Sequence, residues 1–182
     1  MASSQTLTEA DRRIVAMWAA DCAERVVGLF DAEAPDDDRP RDAIARARAF
    51  GRGELGAAGE IRRRFVAGRA ANVVTSPAAV AAARSAAQAS GVAHMGAHAL
   101  GAAAYAVKAA AAAAPDRPDT FDQEIRWHLE HLSPEARSAL ARLPLLGEDS
   151  AGPLGSGLLA SGMLGSIIRR LQADILRPRP GE

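Results

Sequence analysis

Residues 76–114 read SPAAVAAARSAAQASGVAHMGAHALGAAAYAVKAAAAAA. Ser76-Pro77 is a helix-start signal and Pro115 is the next proline, so no residue inside the run forbids one continuous helix. Alanine has the highest helix propensity and is depleted in strands. At 100° per residue, His94, His98, Gly101 and Tyr105 fall within about 60° of one another, and the stripe continues back through Ser90, Ala87 and Ala83. Val92, Met95, Leu100 and Val107 point in other directions. A helix that is small or apolar nearly all round is buried on several sides. The run therefore predicts a central Ala-rich helix over about 77–114, the post of an all-α, single-domain bundle of about six to seven helices. Gly91 inside it is expected to mark a close contact or a slight bend.

Outward from this post, the N-terminal side predicts three helices. Residues 1–8 read as a disordered lead in which Thr6 and Glu9 form a capping box. Helix one runs to about Phe30, with Ile14, Trp18, Cys22, Val26 and Leu29 on its core face. Pro35 and the Asp36-Asp37-Asp38 run break it, and helix two follows over about 40–50 with Pro40 in its first turn. Helix three is predicted over about 54–72, with Leu55, Ala58, Ile61 and Phe65 inward and a Glu60–Arg64 pair at i,i+4.

On the C-terminal side, Thr120 and Gln123 suit a second capping box, and Ser133-Pro134 opens a further short helix. The helical domain is placed over 9–145. Residues 146–157, with four glycines and a proline, read as a Gly-rich linker. Residues 158–182 read as a C-terminal helix and tail, with Leu164, Ile168, Leu171 and Ile175 on one face. That face either folds back onto the bundle or meets a partner.

The totals narrow the function classes. Alanine fills 44 of the 182 positions and aromatics only 4%, so the core depends on close approach of small side chains. Twenty-two basic residues balance 22 acidic ones, which gives no reason to expect nucleic acid or an anionic membrane as partner. The apolar stretch 154–168 is too short and too rich in glycine and serine for a spanning helix. One cysteine, Cys22, permits no internal disulfide, and residues 1–9 lack a signal-peptide pattern. A cytoplasmic protein is the expectation.

Few residues carry recognisable chemistry. His94/His98 and His128/His131 form two pairs, each on one helix face, and two such helices side by side can present four imidazoles. No acidic residue accompanies the first pair, so no cofactor is expected, and a metal at His94/His98 is only the alternative. Walker loop, nucleophile elbow and zincin motif are absent, and no catalytic residue is assigned. Cys22 lies in an apolar stripe and reads as a packed thiol. Asp36, Asp37, Asp38, Arg39 and Arg41, with Glu24 and Arg25 nearby, read as an ion-pair network setting the angle of helices one and two, or as a recognition surface. Arg62, Arg63 and Arg64 read as a solvated face or a second contact patch.

Trp18-Ala19-Ala20-Asp21-Cys22-Ala23-Glu24-Arg25-Val26 and Asp38-Arg39-Pro40-Arg41-Asp42-Ala43-Ile44 together resemble the all-helical immunity proteins of bacteria with a type-5-like immunity domain. The blocks Ala83 to Gln88, Ala93-His94 and His98 to Ala106 are similar to the same pattern, and Glu124-Ile125-Arg126-Trp127 with Leu132-Ser133-Pro134 resembles its closing tryptophan motif. The likeness covers about residues 8–143. Gly68 and Asn72 stand where that pattern leads one to expect histidine and arginine. The resemblance implies an all-helical, non-enzymatic cytosolic protein that binds and silences a cognate toxin, with Trp18, Cys22, Glu24, Arg25 and Trp127 as its structural motif. It supplies no catalytic residues.

The primary reading is thus an antitoxin-type immunity protein whose contact candidates are Asp36, Asp37, Asp38, Arg39, Arg41, Arg62, Arg63 and Arg64. One rival is a helical metal- or small-ligand-binding protein, enzymatic or not, that uses His94, His98 and Tyr105. The other is a structural homo-oligomer, a homodimer being the simplest, joined through the Gly-rich C-terminal helix.

Overall fold

The 76–114 run folds as a helical hairpin. In the computed structural model, which describes residues 3–63 and 65–178, α4 spans Pro77–Gly91 and α5 spans His98–Ala113. The expected single helix is therefore corrected to two. Residues 92–97 form the turn, and two backbone bonds from the start of the chain hold it: Gly96 N–H donates to the Thr6 carbonyl at 3.0 Å and Ala97 N–H to that of Gln5 at 3.1 Å. Across the hairpin, the Ser85 hydroxyl donates to the Ala102 carbonyl at 2.7 Å. The buried alanines of both helices allow this close approach.

The described residues form eight α-helices and no strand. Besides the hairpin these are α1 (Glu9–Asp31), α2 (Arg39–Gly51), α3 (Ala57–Arg63), α6 (Thr120–Glu130), α7 (Pro134–Leu140) and α8 (Gly162–Leu176). α1 packs on both hairpin helices and on α2, whereas α6 and α8 cover α5. Phe30, Phe50, Ile44, Leu100, Ile125, Ile168 and Leu171 are among the large side chains of a core rich in alanine. No helix among the described residues is long and apolar enough to cross a membrane.

Local signals were read correctly in some places and displaced in others. Ser76 and Ser133 cap α4 and α7, accepting from the N–H groups of Ala79 and Ala136. The first cap is Thr8 rather than Thr6, because Leu7 takes φ 62° and turns the chain there. Asp119, not Thr120, precedes α6, and Gln123 donates back to the Asp119 carboxylate. Trp18, Cys22 and Val26 are buried as expected, but Ile14 is exposed. The predicted third helix stops at Arg63, and a 3-10 turn, Ala67–Asn72, follows. Ala58 is consequently exposed and Phe65 is 62% exposed instead of inward. Glu60 pairs with Arg46 of α2 through two bonds of 2.5 and 3.0 Å, and Arg64 lies outside the described residues.

Residues 3–8 and 146–157 pack against each other rather than forming a loose lead and linker. Gln5 is buried; its amide N–H groups donate to Asp149 (2.7 Å) and the Ala151 carbonyl (2.8 Å), and its oxygen accepts from Leu154 N–H (2.9 Å). Leu154 is fully buried. The last helix folds back: Leu164, Ile167, Ile168, Leu171 and Ile175 are buried, and Arg137 of α7 donates to the Asp174 and Ile175 carbonyls at its end.

Candidate functional site

Arginine–carboxylate pairs join α1 to α2. Arg48 donates to Asp21 at 2.8 Å and to Glu24 at 2.9 Å, while Arg41 pairs with Glu24 at 3.3 Å and with Asp31. Arg39 is held by Asp37, whose carboxyl falls below the usual range through the hydrogen bond from that guanidinium. Glu33 reaches past the end of α1 to accept from Thr75 and Ser76, and those bonds lower its carboxyl to about 2. Asp36 and Asp38 make no ion pair among the described residues and lie exposed in the α1–α2 turn. Arg62 is exposed, and Arg63 approaches Asp42 of α2 at 3.3 Å. The contact candidates of the turn and of α3 therefore flank the same helix, α2.

On its other side α1 is clamped to α6. Arg25 grips Glu124 with two bonds of 2.7 and 2.9 Å and lies 4.3 Å from the centre of the Trp127 ring. Trp127 stacks on His131, with 3.8 Å between centroids. The Trp18 indole donates to the His128 carbonyl at 2.9 Å. Cys22 is buried on the same helix, and burial pushes its thiol up. His128 is fully buried, and neither ring nitrogen has a hydrogen-bond partner. Burial, then the Arg25 charge, lowers it to about 3.

His94, His98 and Tyr105 meet at one cavity of about 530 Å³. His98 and Tyr105 come from one face of α5, Arg84, Gln88 and Gly91 from the i, i+4, i+7 face of α4, and His94 from the turn between them. Gly91 leaves space for the His98 ring, since a Cβ there would lie 2.9 Å from its Cγ. His98 Nδ1–H donates to Gln88 Oε1 at 2.8 Å. Burial pushes the Tyr105 phenol up, and the Arg84 charge partly opposes this. Phe65, Met95, Leu158 and Leu159 supply apolar walls. The His94 and His98 centroids are 6.5 Å apart, and His128 and His131 are not among the residues that line this cavity. No three His, Cys, Asp or Glu side chains gather into a metal-sized group among the described residues.

Arg84 and Gln88 were missed as site residues, although their spacing with Gly91 is a helical-face signal that faces His98 once the hairpin closes. Leu158 and Leu159 carried no such signal. A family model described as "Imm-5 like putative immunity protein" matches residues 5–135. The chain belongs to this family. The match includes the α1, α2 and α6 motifs and the whole hairpin, and ends before the 152–159 wall of the cavity. No curated protein and no solved structure matches the chain.

Proposed function

We propose that this immunity-family protein binds and neutralises a cognate toxin in the cytoplasm by steric occlusion, without catalysis. The observation that carries the reading is family membership over residues 5–135. The α1–α2 turn is the favoured contact. Its exposed Asp36 and Asp38 sit in the turn between two helices locked by Arg41 and Arg48, and a pre-organised surface loses less entropy on association. Arg62 and Arg63 extend that surface with the opposite charge, which suits selective pairing with a charged partner. The test is co-expression with the product of a neighbouring toxin-domain gene, followed by isolation of the complex. Growth should be rescued, and Asp36→Lys with Asp38→Lys should slow association by about tenfold or more at low salt. Failure of that product to bind overturns the reading.

A second reading, small-ligand binding, has one observation in its favour: His94, His98 and Tyr105 line a single cavity of ligand size. Metal chemistry there has no third ligand among the described residues to support it.

A further inference from the structure

The 530 Å³ cavity has a chemical character of its own. Its size lies within the range of small-molecule sites, about 300–1,000 Å³. Its ionisable lining is one-sided: Arg84, His94 and His98 face it, and none of the described lining residues is an Asp or Glu. Thirteen ion pairs join described residues elsewhere in the chain, yet none uses Arg84. Arg84 also makes no hydrogen bond among the described residues, in a protein that commits most of its arginines to carboxylates. The Tyr105 ring is buried, and its hydroxyl likewise has no hydrogen-bond partner among the described residues. Phe65 at 62% and Leu158 at 66% exposure leave apolar surface at the same cavity.

We propose that this cavity binds a small monocarboxylate with an apolar body, of arylalkanoate or medium-chain fatty-acid size. The guanidinium fork of Arg84 matches a carboxylate in shape and charge, and the Tyr105 hydroxyl and the His94 imidazole add donors. Met95, Leu158, Leu159 and the Phe65 ring take the apolar body. A single guanidinium amid apolar walls suits a monoanion better than a phosphate, which is bound by clustered cations or backbone N–H groups. The proposal rests on the small-ligand reading of the cavity and is independent of toxin binding. One wall, from Gly152 to Leu159, lies beyond the residues matched by the family model, so the site combines the family domain with the segment that follows it.

The experiment uses the full chain with 4-phenylbutyrate and octanoate as probes. Their alcohols (4-phenylbutanol and octan-1-ol), inorganic phosphate and zinc chloride serve as comparators, read by titration calorimetry. Saturable 1:1 binding of a carboxylate is expected, at least about tenfold tighter than its alcohol, since a hydrogen-bonded charge contributes that much. Arg84→Gln should weaken it by about tenfold or more and Tyr105→Phe by a few-fold. Both variants should keep the wild-type circular dichroism. NMR of the bound protein should shift the ring protons of His94, His98 and Tyr105. The proposal is overturned by any of four results: no carboxylate binding at millimolar concentration, equal affinity for acid and alcohol, an Arg84→Gln variant that binds normally, or preference for phosphate or zinc.

Discussion

His128 stands between Trp18 and Trp127, edge-on to both rings at centroid distances of 6.5 and 5.3 Å. With both nitrogens buried and unpartnered, it folds as neutral imidazole. Its value falls from about 6.5 in the unfolded chain to about 3 in the fold. Below about pH 6.5 the unfolded chain binds the extra proton, so stability is full above that pH and declines as pH falls towards about 3. The slope is about 1.4 kcal/mol per pH unit. Glu33, with a folded value of about 2, acts in the same direction over a lower window: its contribution is present above its ordinary 4.5 and is lost as pH falls through about 2. The interval between pH 4.5 and 6.5 thus isolates the histidine. His128→Leu should flatten the urea midpoint across that interval. It should leave stability at pH 7 unchanged or slightly higher, because no hydrogen bond is lost. Parallel pH curves for the two proteins would refute the assignment.

Among the elements, the α4–α5 hairpin explains both what was legible and what was not. Its helix-forming alanines, the Ser76 cap and the His94–His98–Tyr105 grouping are local signals, and each was readable. The break at 92–97 was not, because the bonds that hold it come from Gln5 and Thr6, about ninety positions away in sequence. A periodicity window cannot register such a contact. The outward turn of Phe65 escaped for a related reason: its apolar spacing fits a helix that stops two residues earlier. Of the cavity, the α5 residues were foreseen, whereas the 152–159 wall depends on tertiary folding. Two glycines test this packing. In α8 a Cβ on Gly165 would sit 2.6 Å from the Ala160 carbonyl carbon, so backbone must move. On Gly101 it would meet the end of the Gln88 side chain, 2.9 Å from Cδ, which can swing away. Gly165→Ala should lose about 1–3 kcal/mol. Gly101→Ala should lose less, since the gain in helix propensity, about 1 kcal/mol, offsets displacement of Gln88. Thermal melts that reverse this order would contradict the packing.

At the scale of the whole molecule, two ends that looked dispensable close the fold on each other. Gln5 joins three distant parts of the chain: its carbonyl accepts from the hairpin turn at Ala97, and its side chain holds Asp149, Ala151 and Leu154. Beside it, Leu7 lies over Gly96, so close that a Cβ there would be 2.5 Å from the leucine Cδ1. The family match begins at residue 5 and ends at 135, so Gln5 ties the first matched position to the segment beyond the last. If that tie fastens the cavity wall, Gln5→Ala should act locally as well as globally. The buried Leu154 N–H would lose its acceptor, at a cost of about 1–3 kcal/mol. Hydrogen exchange should then accelerate at residues 147–155 far more than in α1 or α5, because the segment opens without unfolding the bundle. Carboxylate affinity should fall with it, since Gly152 and Pro153 line the cavity next to the lost bonds. A uniform rise in exchange across all helices would mean that the segment does not open separately. Faster exchange at 147–155 with unchanged carboxylate affinity would mean instead that this wall contributes nothing to the ligand.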